Sequence, residues 1–353
     1  MTATALRAAV APVRLRPGAV AIGIAALAVA VLLGLALGPV SINPFGTFAE
    51  ILDHVPFVHI DSGLSEREAA IVWELRLPRV VLAVLVGAML ASSGAAYQGA
   101  FRNPLADPYL LGAAAGAGLG ATVVLVSGGG RTGGMFDPVV VAAFLGALGA
   151  VVLAYGIGAT GGSRTSATLV LAGVAVASFL TAVQTYVQQR NADSVRDVYT
   201  WILGRLTTVG WDEVKLLGPY FLVASIVLLA NRRVLDVLAV GDQEAASLGV
   251  SVARVRLTIV IAASLATAAA VSVSGLIGFV GIIVPHTVRL IAGSSYRVIL
   301  PLSFLFGGAF LTIADLMART VIAPAEIPIG VITAFFGAPF FVFVLRTSRR
   351  SVG

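Results

Sequence analysis

The stretch RLPRVVLAVLVGAMLASSGAAYQGAFRNPLADPYLLG, residues 76 to 112, decides what kind of chain this is. Between Arg79 and Arg102 it carries no charge, and the run is long enough to cross a bilayer, for which a helix needs about 20 mostly apolar residues. Within it Gly87, Ala91, Ala95 and Gly99 recur every four residues and so share one helix face. Small residues at that spacing let helices approach closely in lipid, where no hydrophobic force drives them together. Asn103-Pro104 then breaks the helix, because the residue before a proline is driven out of the α region.

Outward from this stretch the pattern repeats. Uncharged runs broken by short charged or Pro/Gly segments predict ten helices, at 17–38, 78–98, 108–127, 137–159, 166–189, 214–231, 254–273, 279–292, 298–317 and 328–345. The helix at 279–292 is short and glycine-rich, which points to a broken or re-entrant span. Gly112, Gly116 and Gly120 give the third helix a small-residue face of its own. Overall 58% of residues are hydrophobic and 11% charged, against roughly a quarter charged in soluble domains, so a soluble fold is excluded. The alternating strands of a membrane β-barrel are absent. The run from Pro17 to Leu37 follows Arg7, Arg14 and Arg16, is longer than a signal-peptide core and lacks a closing cleavage site, and so reads as a retained first helix. The expected fold is all-α, a polytopic transmembrane bundle of about ten helices.

Charge sets the expected orientation, since basic residues are held on the cytoplasmic side. With the N-terminus inside, the cytoplasmic segments collect Arg7, Arg14, Arg16, Arg102, Arg164, Arg232, Arg233, Arg254, Arg256, Arg289, Arg297, Arg346, Arg349 and Arg350, while most of the 17 acids fall outside. An even helix count then puts both termini in the cytoplasm. The arginines are scattered over many loops, which argues against a nucleic-acid role. Two connections are long enough to fold locally. An outer loop spans 40–77 and carries Glu50, Asp53, Asp61, Glu66, Glu68 and Glu74. An inner loop spans 231–253 and contains LAVGDQEAASLGV, whose acidic first turn and closing Gly249 predict a two-turn helix at the cytoplasmic surface.

Two absences bear on energy supply. A phosphate-cradling loop requires glycine-rich backbone followed by lysine, and the one lysine, Lys215, sits in WDEVKLL. ATP hydrolysis must therefore come from another polypeptide. Ion-coupled carriers place acids or histidines within the bilayer, but here the spans hold little beyond Asp315 and His286, for which capping or packing roles are expected. A secondary carrier is thus the weaker alternative. On the fifth helix Ser178, Thr181, Gln184, Thr185 and Gln188 form a polar stripe, either bonding between helices or lining an aqueous path for a large polar solute. His54 and His59 lack carboxylate or cysteine neighbours at ligand spacing, so no metal site is expected. With no cysteine and no nucleophile, acid and base constellation, the chain does not read as an enzyme.

The combination of residues 76–112 with SATLVLAGVAV (166–176), LAVGDQEAASLGV (238–250), GLIGFVGIIVPHTVRLIAG (275–293) and EIPIGVITAFFGAPFFVFVL (326–345) resembles the FecCD-type permease family, the membrane subunits of type II ABC importers for iron-siderophore, haem and cobalamin. That resemblance implies a single transmembrane permease domain over 1–353 in a bacterial cell membrane. It implies a homodimer, or a pair with a closely related permease, around a central path. Two cytoplasmic ATPase subunits would carry ATP and Mg, an extracytoplasmic binding protein would deliver an iron chelate (ferric siderophore or haem, with cobalamin the alternative), and no cofactor would sit on this chain. Residue by residue, it places ATPase coupling on Asp242, Gln243, Glu244, Ala245, Ala246, Ser247, Leu248 and Gly249. Docking falls on Arg76, Arg79 and Arg319, against a plain reading of arginines that anchor helix ends. A cytoplasmic gate falls on Asn103, Leu105, Thr165 and Ser166, against a plain helix-stop turn. The outer loop 40–77 matches no motif of that family.

Overall fold

The computed structural model describes residues 15–57, 59–129, 136–159, 166–207 and 210–350, with Ser166 and 343–350 described by their backbone alone. In chain order the helices are α1 (Pro17–Ala36), α2 (Pro44–Asp53), α3 (Glu66–Ala70), α4 (Leu77–Phe101), α5 (Ala113–Val126), α6 (Pro138–Ala159), α7 (Ser166–Arg190) and α8 (Val195–Ile202). They continue as α9 (Asp212–Val240), α10 (Asp242–Ser247), α11 (Val252–Ser274), α12 (Val280–Ala292), α13 (Tyr296–Thr320) and α14 (Ile329–Arg350). No strand occurs among the described residues. Among the described residues seven helices are long and apolar enough to cross a membrane, and three shorter apolar ones, α5, α12 and α14, bring the set to the ten expected.

The buried centre is α4 with α11 and α13 against it, while α1, α6, α7 and α9 turn large apolar side chains outward. Contact at the centre is made by backbones, as the small-residue spacing predicts. A Cβ on Gly87 would strike the Gly307 carbonyl of α13, and one on Gly94 would strike the backbone of Gly281 in α12. Gly116 and Gly120 meet Gly146 and Ala142 of α6 in the same way. Gly112 does not belong to that face: it precedes α5 with φ +83, so the third helix starts at Ala113 and not near 108. Three buried threonines bond within their own helices, Thr122 on the Gly118 carbonyl (2.7 Å), Thr267 on Ala263 (2.7 Å) and Thr312 on Gly308 (2.8 Å).

Both long connections are shorter than expected. The one between α1 and α4 holds α2 and α3, and a π-helical turn, Ile71–Arg76, joins α3 to α4 without a break. Ser65 caps α3 through a reciprocal box with Glu68. In the second connection α9 runs to Val240, well past the expected end at 231, where Asn231 turns its side-chain amide onto the Val227 carbonyl (2.8 Å) and Leu235 and Leu238 are buried. The loop 231–253 is therefore mostly helix. An amphipathic helix, α8, lies where no helix was expected.

Between α11 and α12 the chain is irregular from Gly275 to Phe279. Irregular backbone at membrane depth persists only where protein satisfies it. Tyr109 does so here, its hydroxyl donating to the Ile277 carbonyl (2.9 Å) and accepting from the Ile277 amide (3.1 Å). The expected broken span thus consists of an irregular entry followed by α12, which continues unbroken through Pro285. His286 packs edge-on against Phe340 of α14.

Candidate functional site

α10 is the clearest surface on the chain. Gly241 admits the Glu244 carboxylate, which folds back over the helix start and would collide with any Cβ there. At the other end the Gly249 amide donates to Ala246 (2.9 Å) and the Val250 amide to Ala245 (3.0 Å), closing the helix with Gly249 at φ +81. Ala245 is buried. Gln243, Glu244, Ala246, Ser247, Leu248 and Gly249 are exposed, and Leu248 is 72% exposed. Beside α10 a hollow of about 490 Å³ opens between Tyr155 of α6, Leu169 of α7 and the turn at Val250.

Asp242 ties this helix to the bundle. Its two oxygens accept from Arg256 Nη2 at 2.8 and 3.0 Å, and Arg102 Nη1 stands 3.8 Å away. Arg256, only 3% exposed, also donates from Nε to the Ala100 carbonyl at 2.9 Å. The last turn of α4, the start of α10 and the start of α11 therefore meet on one carboxylate. Sequence reading placed Arg102, Asp242 and Arg256 on the same side of the membrane but not in contact.

Two of the expected gate residues, Asn103 and Leu105, follow Arg102 at this junction. Arg102 takes the left-handed conformation (φ 54), the Asn103 amide closes α4 on the Gln98 carbonyl (3.1 Å), and Asn103 Oδ1 accepts from the Leu105 amide (2.9 Å). Leu105 is 42% exposed. Thr165 lies outside the described residues, and Ser166 is the first residue of α7. Further along the same loop the Asp107 carboxyl is crowded by protein, and burial pushes it up to about 6, opposed by the hydrogen bond it accepts from the Tyr109 amide.

On α7 the five polar residues do not share one surface. Ser178, Thr181 and Thr185 are exposed and Gln188 half-buried, whereas Gln184 is 7% exposed and turned onto Gly118 of α5. The residues range over about a third of a turn or more at 100° apiece, so the edge of the stripe rotates into the bundle. The open face also carries Leu171, Val174, Phe179 and Tyr186.

At the other end of the bundle the three arginines face inward. Arg76 donates to the Leu35 (2.9 Å) and Val40 (2.8 Å) carbonyls, and Arg319 to the Gly34 carbonyl (2.6 Å). Both cap the C-terminus of α1, where unpaired carbonyls favour a cation. Arg79 forks between two carboxylates, Asp315 at 2.9 to 3.1 Å and Glu326 at 2.8 and 2.9 Å, and Arg319 Nε lies 3.5 Å from Asp315. Asp315 is 1% exposed, while the Glu326 side chain, 39% exposed, is the open member of the cluster. Arg79's hydrogen bonds hold the Glu326 carboxyl below the usual carboxylate range. The expected packing role of Asp315 thus has a definite form. In the connection between α1 and α4 His54 stacks on Trp73 at 3.9 Å between ring centres and bonds the Glu50 carbonyl; no group of residues able to hold a metal occurs among the described residues.

Residues 26–347 match the FecCD transport family. The uncharacterized ABC transporter permease protein YvrB of Bacillus subtilis is 42% identical over 98% of this chain and 99% of its own length. The cobalamin import permease BtuC of Halobacterium salinarum is 45% identical over 80% of this chain and 75% of its own, and the hemin transport permease HmuU of Yersinia pestis 37% over 79% and 84%. A solved ABC transporter chain described as of metal-chelate type, in an inward-facing conformation, superposes with a TM-score of 0.81 at 27% identity, covering 94% of this chain and all of its own. A multi-pass helical bundle with this match along nearly its whole length belongs to the FecCD transport family, the permeases of ABC importers.

Proposed function

We infer that this chain is the translocating subunit of a binding-protein-dependent importer, driven by two separate ATPase subunits that contact α10. The carrying observation is the Asp242 junction: an exposed helix with a projecting Leu248 is joined through one carboxylate to Arg256 and to the loop after α4. A push on α10 therefore reaches the gate loop at Asn103 and Leu105 directly, and the hollow between Tyr155 and Leu169 gives a partner side chain a seat. The distribution of arginines supports a cytoplasmic position for α10, and with it cytoplasmic termini. The exposed Ser178, Thr181 and Thr185 face suits a path shared with a second permease, identical or closely related. At the far end the Arg79–Glu326 pair is the open part of the arginine cluster, where an acidic loop of an external binding protein competes with Glu326 for Arg79.

The cargo that fits best is a ferric chelate, siderophore or haem, in keeping with relatives named for hemin and for Fe(3+)-citrate. Cobalamin is the second reading, favoured by the 45% identity to the Halobacterium salinarum permease. The test of the coupling assignment is Leu248→Asp and Asp242→Ala in the reconstituted transporter. ATP hydrolysis persists while uptake falls by tenfold or more, on the order of one lost 1.4 kcal/mol contact. Unchanged uptake in both variants removes α10 from the coupling path. Screening the cognate binding protein for thermal stabilisation by haem, ferric siderophores and cobalamin decides the cargo.

A further inference from the structure

A groove of about 1170 Å³ runs along the outside of the bundle between α1 and α12, with α13 as its floor. Ile22, Ala26, Val29, Ile291, Phe306 and Phe310 give it apolar walls. At one end stands Arg16, the residue that precedes α1; it is exposed and has no acidic partner among the described residues. The positive end of the α1 dipole adds to its charge. From Arg16 the groove follows α1 as far as Ala30, roughly 21 Å at 1.5 Å per residue. One leaflet of a bilayer's hydrocarbon core is about 15 Å deep, so the groove spans a full acyl layer from the charged surface inward.

Its length, its apolar lining and its single charged end select the occupant. A water-soluble ligand would meet almost no polar side chain along it. We propose that the groove holds one anionic phospholipid of the leaflet at the Arg16 end, its phosphate on Arg16 and one acyl chain between α1 and α12. α1 packs chiefly on α13 and little on the rest of the bundle, so the lipid chain completes its contact with α12.

The experiment is native mass spectrometry of the purified transporter after exchange into micelles doped with dioleoyl phosphatidylglycerol or dioleoyl phosphatidylcholine. The wild type retains one phosphatidylglycerol per permease chain in preference to phosphatidylcholine. Arg16→Gln lowers that preference about fivefold, in line with the contribution of one basic residue at an anionic surface, and Arg16→Lys keeps it. Ala26→Trp fills the groove and abolishes retention of both lipids, whereas Ile24→Trp, on an exposed part of α1 outside the groove, leaves retention unchanged. The proposal is overturned by equal retention in wild type and Ala26→Trp, by an unaltered headgroup preference in Arg16→Gln, or by a change of oligomeric state in Ala26→Trp that makes the groove a protein contact.

Discussion

Replacing Asp315 by Asn removes the charge on which Arg79 and the buried Arg319 converge. Asp315 accepts three hydrogen bonds from Arg79 at 2.9 to 3.1 Å and lies 3.5 Å from Arg319 Nε, with 1% of its surface exposed. Removing one partner of a buried pair costs about 3 to 5 kcal/mol, because the remaining charge is left desolvated. Glu326 keeps its two bonds to Arg79, so the low end, about 3 kcal/mol, is expected. At roughly 2 °C per kcal/mol for a large chain, Tm falls by about 6 °C. The assay is thermal unfolding in detergent at a fixed scan rate, since unfolding of such a protein is a rate measurement. An Asp315→Asn variant within about 1 °C of wild type, well inside the shift expected for a broken buried pair, refutes this account of the cluster.

Three further outcomes are expected. Gly94→Val drives a side chain into the Gly281 backbone, which cannot yield as a side-chain tip would, so it destabilises by at least the 1 to 3 kcal/mol typical of overpacking and lowers Tm measurably. The Glu326 carboxyl is held low in the folded protein, so its contribution is fully present above the ordinary glutamate value of about 4.3 and disappears as pH falls through the lower folded value. The Tm difference between wild type and Glu326→Gln is therefore constant at neutral pH and shrinks in acid; a difference that grows on acidification contradicts the assignment. Arg79→Glu weakens docking of the binding protein in a salt-dependent way, and an affinity unchanged at low ionic strength removes Arg79 from the docking surface.

The spans were legible because a bilayer demands long uncharged runs, and the close approaches were legible because glycine spacing is local. What was not legible depended on tertiary partners. Arg76 and Arg319 read as helix-end arginines with either an anchoring or a docking use; only the position of the α1 C-terminus shows that they cap its carbonyls. α8 was missed because its eight residues carry Arg196 and Asp197 with a single apolar face around Val198 and Trp201. The end of α9 was placed too early because Arg232 and Arg233 look like a membrane exit, whereas helix continues outside the bilayer as long as Leu235 and Leu238 find a core. Gln184 was assigned to the open stripe, and its contact with Gly118 depends on where α5 lies. The two-turn helix after Gly241 was foreseen from its own residues, but the junction at Asp242 was not, because Arg102 and Arg256 arrive from distant parts of the chain.

The most direct measurement is uptake of a labelled ferric chelate into proteoliposomes containing this chain with its ATPase and binding-protein partners. The account predicts uptake only with ATP and an intact ATPase, and none when the ATPase's phosphate-binding lysine is replaced. Uptake by this chain alone, driven by a proton or sodium gradient and indifferent to ATP, would contradict it.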